Sequence, residues 1–250
     1  MKRAAQKRRR KAAGRFRKQV AIVTGASRGI GLAVAEALAA EGAIVVLVGR
    51  DPRALQAAEH RVASYGGRGL TVCADVRKPE SARFVFRVVR ERYGRVDILF
   101  NNAGIAHRIT PIAKLPLETW REVLDTNLTA LLIWTQALLP LMKRGATVVN
   151  NLSVSARKVY AGSAAYTASK FGALGFTDTL REEVRGRGIR VISLMPGPVD
   201  TALWDTLWPT APRKRMIAAA TVARVLVEAL AQPAETTVEE IVVAPSAGPL

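Results

Sequence analysis

Val20-Ala21-Ile22-Val23-Thr24-Gly25-Ala26-Ser27-Arg28-Gly29-Ile30-Gly31 is the stretch on which the reading of this chain turns. Four consecutive apolar residues read as a strand covered on both faces. They run straight into a turn with three glycines, and an alanine-rich helical pattern follows at once. The spacing Gly25-x3-Gly29-x-Gly31 is a stretched relative of the G-x-G-x-x-G turn that joins a buried strand to a helix. Glycine lets the backbone turn tightly and approach a ligand, and the helix behind it offers unpaired N–H groups to a phosphate. A glycine triplet alone is equally a plain strand-to-helix turn, so its surroundings carry the weight.

Outward from that turn, helical patterns cover 30–41, 53–65, 80–93, 117–143, 164–187 and 221–231. Short apolar runs at 44–48, 70–74, 96–100, 147–152, 189–194 and 240–243 alternate with them. This alternation predicts an α/β fold, a Rossmann-type doubly wound parallel sheet with helices on both faces, forming one domain over 19–250. Ligands of such sheets sit beyond the carboxyl ends of the strands. The second strand ends in Gly49-Arg50-Asp51-Pro52. An acid at that tip suits the ribose hydroxyls of NAD(H), and a cation suits a 2′-phosphate. Arg50 stands there and Arg28 lies in the glycine turn, so NADP(H) is expected over NAD(H). Asp51 reads as a cap before Pro52.

The net charge is +18, and its distribution matters more than its size. Residues 1–18 hold ten Lys or Arg and no acid, against 28 basic and 20 acidic residues in the rest. A block of like charge repels itself, so 1–18 is expected to be a disordered, solvated extension. Contact with nucleic acid or an anionic membrane is its functional alternative. No apolar window approaches the ~18 residues of a membrane span. The longest, 128–142, is broken by Gln136 and Pro140, and no apolar segment follows the basic start as in a secretory leader. The single cysteine, Cys73, excludes an intrachain disulfide and reads as a small buried strand residue. A reducing, cytoplasmic setting is expected.

Tyr166-Thr167-Ala168-Ser169-Lys170 lies in a helical pattern, so Tyr166 and Lys170 share a face at i and i+4. A cation beside a tyrosine favours the phenolate and lowers its pKa. A tyrosine so tuned can exchange a proton near neutral pH, as reduction of a carbonyl requires. Ser153, thirteen residues earlier at a strand end, is placed to hold a substrate oxygen. His60 and His107 have no partner at metal-ligand spacing. His107, just after Asn101-Asn102-Ala103-Gly104, is a candidate for the substrate mouth.

Together these residues resemble the short-chain dehydrogenase/reductase family. The likeness runs from Lys18 to Val243 and includes the glycine turn, Asp75, Asn101 to Gly104, Asn127, Ser153, Tyr166-x3-Lys170 and Pro196-Gly197 through Thr201. The resemblance implies that Gly25, Ser27, Arg28, Gly29, Ile30 and Gly31 cradle the cofactor's diphosphate and adenosine end. Asp75 and Val76 would contact the adenine, while Asn102, Ala103 and Gly104 line the central groove. Pro196, Gly197, Val199 and Thr201 would close over the nicotinamide carboxamide. Tyr166 would be the acid/base, Lys170 would lower its pKa and hold the nicotinamide ribose, and Ser153 would orient the carbonyl. Ser155 is a rival whose spacing to Tyr166 is two short. Asn127 would hold a water in a proton relay through Lys170. The implied reaction is hydride transfer from NADPH to the ketone of a small-molecule substrate, with no metal.

The resemblance also implies a mobile lid at 202–216, which carries Trp204, Leu207 and Trp208 and then Arg213, Lys214 and Arg215. The tryptophans either face a substrate or pack on the lid's own base, and the basic run suits an acidic carrier protein. The motif set is similar to that of 3-oxoacyl-[acyl-carrier-protein] reductases, which makes acyl carrier protein a candidate partner and a homo-oligomer, tetramer or dimer, the expected assembly. The C-terminus departs from that pattern: Val243-Ala244-Pro245-Ser246-Ala247-Gly248-Pro249-Leu250 lacks the usual Gly-Gly-containing segment. The alternative function is a non-catalytic NADP- or polyanion-binding protein on the same fold.

Overall fold

The computed structural model describes residues 14–248. Each apolar run forms a strand and each amphipathic stretch a helix. The strands are β1 Val20–Thr24, β2 Ile44–Gly49, β3 Arg68–Cys73, β4 Val96–Asn101, β5 Met142–Asn151, β6 Arg190–Pro196 and, at the chain's end, β9 Glu240–Val243. They form one parallel sheet in the order β3-β2-β1-β4-β5-β6-β9. The order reverses between β1 and β4, which pair through Val23 and Phe100, and the cleft of such a sheet opens there.

The helices split between the two faces. All five residues of β1 are buried, and alternate side chains serve opposite cores. Ala21 and Val23 pack with α1 (Gly29–Ala40), α2 (Pro52–Ser64) and α8 (Ala219–Leu230). Val20 and Ile22 pack with α3 (Pro79–Tyr93), α5 (Ala130–Leu138) and α6 (Ala164–Arg185). Trp134 of α5 is fully buried, and its indole N–H donates to the Val76 carbonyl at 3.0 Å. That bond pins the loop after β3 at the sheet's carboxyl edge. Trp134→Phe is expected to lower stability by about 1–3 kcal/mol, because the carbonyl loses its donor and the ring leaves a gap. An unchanged urea midpoint at constant m-value would refute this.

Four expectations change. The extension placed at 1–18 is shorter at its inner end. Phe16 is 2% exposed in the core, and Arg15 bridges Glu41 and Glu228 at 2.8 Å each. Apolar burial and two carboxylates outweigh the local charge there, while residues 1–13 lie outside the described residues. The helix expected over 117–143 is three pieces: α4 (Leu117–Leu124), a wide π turn (Asp125–Thr129) and α5, followed by a 3-10 turn (Leu139–Leu141) at Pro140. Proline cannot continue a helix, and β5 starts directly at Met142, which pairs with Val96. Cys73 is exposed, because β3 is an edge strand whose alternation points Val72 inward and Cys73 outward. Finally, the lid has structure. It comprises α7 (Leu203–Leu207) and a 3-10 turn (Arg213–Arg215), bracketed by the paired strands β7 (Val199–Asp200) and β8 (Ile217–Ala218). Among the described residues no helix is long and apolar enough to cross a membrane.

Candidate active site

The glycine turn forms because only glycine fits it. Gly25 has φ of +63°, and a Cβ there would sit 2.9 Å from the Ala103 Cα. At Gly31 a Cβ would collide with the Gly25 carbonyl oxygen and the Asn102 side chain. The turn, the end of β4 and α1 are thus packed backbone to backbone. Residue Arg28, ahead of α1, makes no side-chain cap, so the first N–H groups of that helix point to the cleft without a protein partner from it.

The strand ends are stitched together by polar side chains. Thr24 Oγ1 accepts from the Asn102 and Ala103 amides at 2.9 and 3.1 Å. Asn102 Nδ2 donates to the Thr24 and Gly25 carbonyls, and Asn102 Oδ1 accepts from Asn151 Nδ2 at 2.9 Å. One layer deeper, Asn101 donates to Asn150, and Asn150 donates to Thr177 of α6. Buried polar chains of this kind hold α6 in one position against the sheet. Thr24 belongs to the quoted glycine-turn stretch but has no bonding role legible there, and Asn150 and Asn151 carry no motif at all. The only signal for them is their place at strand ends.

These parts enclose a cavity of about 760 Å³ along the carboxyl edge. Gly25, Ser27, Arg28, Gly29, Ile30, Arg50, Asp75 and Val76 line one end. Asn102, Ala103 and Gly104 line the middle, with Ser153, Tyr166, Lys170, Pro196, Gly197, Val199 and Thr201 beyond. Two expected site residues stand behind the lining instead: Gly31, which lies under the turn, and Asn127. Ser155, the rival of Ser153, also lines the cavity, but its amide donates to Ser153 Oγ at 3.1 Å. His107 does not line the cavity. It is 4% exposed, with Nδ1 2.8 Å from the Arg108 carbonyl, so it is buried beside the substrate end and does not form its mouth.

Asn127 sits in the π turn and is 2% exposed. Its Oδ1 accepts from the Ile105 amide at 2.8 Å, and its Nδ2 donates to the Ile105 carbonyl and to Ser169 Oγ. The side chain is therefore a clamp between the Gly104–Ile105 turn and α6. Asp75 is ion-paired with Arg77 at 2.6 Å, which holds its carboxyl below the usual range.

Tyr166 and Lys170 share one face of α6, as their spacing requires, and both are buried. Lys170 Nζ lies 5.6 Å from the centre of the Tyr166 ring and donates to the Asn151 carbonyl at 2.9 Å. Burial disfavours the charged form of each group. It pushes the Tyr166 phenol above its ordinary value, opposed by the Ser153 hydroxyl, and pulls the Lys170 amine down to about 8. The expected depression of the phenol by the lysine is thus reversed: desolvation dominates.

The lid closes the far end. Trp204 and Trp208 both line the cavity and tilt against each other at 6.5 Å. Their N–H groups are spent on the Val199 carbonyl and on Thr210, so the faces offered to the cavity are apolar. Both readings of the tryptophans therefore hold at once. Arg213 is bonded at the lid's surface to Asp200, Asp205 and the Thr201 carbonyl, so its charge is already paired within the lid.

A doubly wound sheet with a glycine turn, an uncapped helix start and a buried tyrosine–lysine pair in one cleft defines a dinucleotide-dependent oxidoreductase. The short chain dehydrogenase family model matches residues 19–212. A 3-oxoacyl-[acyl-carrier-protein] reductase of Synechocystis sp. is 37% identical over 76% of this chain and 77% of its own. A 1-deoxy-11-beta-hydroxypentalenate dehydrogenase of Streptomyces exfoliatus is 38% identical over 78% and 72%. Among solved structures, a short chain dehydrogenase from Burkholderia cenocepacia J2315 in complex with NADP superposes with a TM-score of 0.85 at 30% identity, covering 94% of this chain and 99% of that one. The chain belongs to the short-chain dehydrogenase family, and its sequence resembles the 3-oxoacyl-[acyl-carrier-protein] reductases within it.

Proposed function

We propose that this chain reduces a ketone to a secondary alcohol with NADPH, and that Tyr166 delivers the proton. The observation that carries this reading is that Tyr166, Ser153 and Lys170 line the same cavity whose other end is the uncapped start of α1. The residues present fit NADP(H). The glycine turn and the α1 N–H groups suit the diphosphate, and Arg28 and Arg50 suit a 2′-phosphate. Asp75 and Val76 would flank the adenine, Asn102 to Gly104 the centre, and Pro196, Gly197, Val199 and Thr201 the nicotinamide. When bound, NADPH supplies the hydride that reduces the carbonyl carbon. Tyr166, kept protonated by burial, is a ready donor to the carbonyl oxygen. The Ser153 hydroxyl orients that oxygen, and Lys170 favours the negative charge left on the phenol. Asn127 positions the Gly104 turn against α6.

The relative named as a 3-oxoacyl-[acyl-carrier-protein] reductase makes a 3-oxoacyl group, delivered on a carrier protein, one version of the substrate. Exposed Leu132 on α5 and Phe171 on α6 support a homo-oligomer assembled through these helices, which sedimentation of the full chain checks. No observation among the described residues favours the non-catalytic alternative. The test is oxidation of NADPH and of NADH against acetoacetyl thioester, cyclic, aryl and aldose carbonyls. NADPH is expected to lead. Arg50→Asp is expected to cut kcat/KM for NADPH by about 10- to 100-fold, losing a charge-assisted phosphate contact while leaving NADH little affected. An equal loss with both cofactors would remove Arg50 from the 2′-phosphate site.

A further inference from the structure

Three walls of the substrate end are hydrogen-bonded in series. The Ile109 amide donates to the Leu207 carbonyl of the lid at 3.3 Å, and the next amide, Thr110, donates to the Gly162 carbonyl at 2.9 Å. The loop ahead of α6 is tied within itself as well. The Lys158 amide donates to the Val154 carbonyl at 3.0 Å, and the Ser163 hydroxyl donates to the Tyr160 carbonyl at 2.7 Å. Gly162, at φ of +77°, lets this loop approach so closely that a Cβ would stand 2.6 Å from Ile109 Cγ2. Lys158 therefore lines the cavity from a built loop.

The charge pattern at this end is one-sided. Apolar side chains there include Ile109, Val154, Leu203, Trp204 and Trp208, beside the uncharged Tyr160 and Ser163. Arg28, Arg50 and Asp75 belong to the cofactor end, and Lys170 lies behind Tyr166. That leaves Lys158 as the charged side chain at the substrate end, and among the described residues no carboxylate lines it. The adjacent Arg157 is already ion-paired with Glu240 of β9. An ammonium at the rim of an apolar cleft, with no acid facing it, has its natural counterpart in a ligand anion.

We propose that Lys158 is a specificity-determining residue and that the substrate is an apolar ketone carrying a carboxylate, held by Lys158 while its carbonyl faces Tyr166. This rests on the reductase reading above.

The test uses the full chain with NADPH and three ketones, one aryl, one cyclic and one straight-chain, each as its terminal carboxylate and as its methyl ester. In the best-turned-over pair, the acid is expected to exceed the ester in kcat/KM by about tenfold or more, mainly through KM. Lys158→Gln is expected to abolish that preference by weakening the acid alone, Lys158→Arg to restore most of it, and Lys158→Glu to favour the ester. Lys158 is an exposed side chain, so the variants fold, and ester turnover reports that they do. Equal turnover of acid and ester, or equal losses of both in Lys158→Gln, would overturn the proposal and leave the reductase reading standing. Reduction of none of the six compounds by the wild-type chain would overturn both.

Discussion

Tyr166→Phe is expected to reduce its ketone substrate about 10³-fold more slowly than the wild-type chain, while NADPH still binds with nearly the same affinity. The phenyl ring refills the same buried volume beside Lys170, so the fold and the cavity wall stay intact. Only the hydroxyl goes, and with it the proton donor facing the carbonyl oxygen. The size of the loss follows from general-acid catalysis, to which a positioned donor contributes about 10²–10⁴-fold. Because burial raises the phenol's pKa, the wild-type donor is protonated throughout the neutral range. The residual rate in the variant is therefore expected to lose any alkaline fall that belongs to Tyr166. Stopped-flow NADPH oxidation, set beside fluorescence titration of NADPH, separates chemistry from binding. Unchanged turnover would remove Tyr166 from the mechanism, and lost binding would make it a structural residue of the cofactor groove.

The parts of this site that were readable in the sequence are those in which spacing alone forces geometry. An all-apolar strand running into Gly25-x3-Gly29-x-Gly31 has few ways to fold, and a separation of four positions from Tyr166 to Lys170 on a helix puts both on one face. What escaped is decided by tertiary competition. From Leu138 to Met142 every residue but Pro140 is apolar, which satisfies a helical and a strand period equally, so the end of α5 could be placed only by Pro140 and by the pairing of Met142 with Val96. Phe16 is the one aromatic residue among the ten cations of 1–18. Its burial depends on the α1–α8 surface, assembled from segments some 200 residues apart. The direction of the Tyr166 shift turns on desolvation, and composition carries no measure of depth. Arg213 looked like a docking cation because Asp200 and Asp205 are neighbours that only the folded lid turns toward it.

Lys170→Met separates the function of this site from the stability of the fold, because its two effects have opposite signs. Reductase activity is expected to fall by about 10²-fold or more, since the cation that favours the developing phenolate is gone. The ligand-free chain, by contrast, is expected to become more stable at neutral pH. Burial lowers the Lys170 amine from 10.5 in the unfolded chain to about 8 in the folded one. Below pH 8 the lysine is charged in both states, and folding bears the full cost of burying that charge. Between pH 8 and 10.5 the unfolded chain binds more protons than the folded chain, so stability rises with pH across that window. From pH 7 to 9.5 the wild-type gain from this residue is about 2 kcal/mol, by the usual free energy per pKa unit. Methionine cannot titrate, so the variant starts higher and gains nothing from this position. It also leaves the Asn151 carbonyl without its donor, a loss of about 1–2 kcal/mol that offsets part of the advantage at pH 7. The slope with pH, rather than the absolute difference, is therefore the decisive quantity. Above pH 10 the raised Tyr166 phenol works against the folded state, so the comparison belongs below that value. Urea unfolding at pH 7, 8.5 and 9.5 for both chains reads it directly. A rise of equal size in wild type and variant would show that the buried amine is not its source. A flat variant beside a rising wild type would mean that the fold carries, ready for the reaction, a charge it would be more stable without.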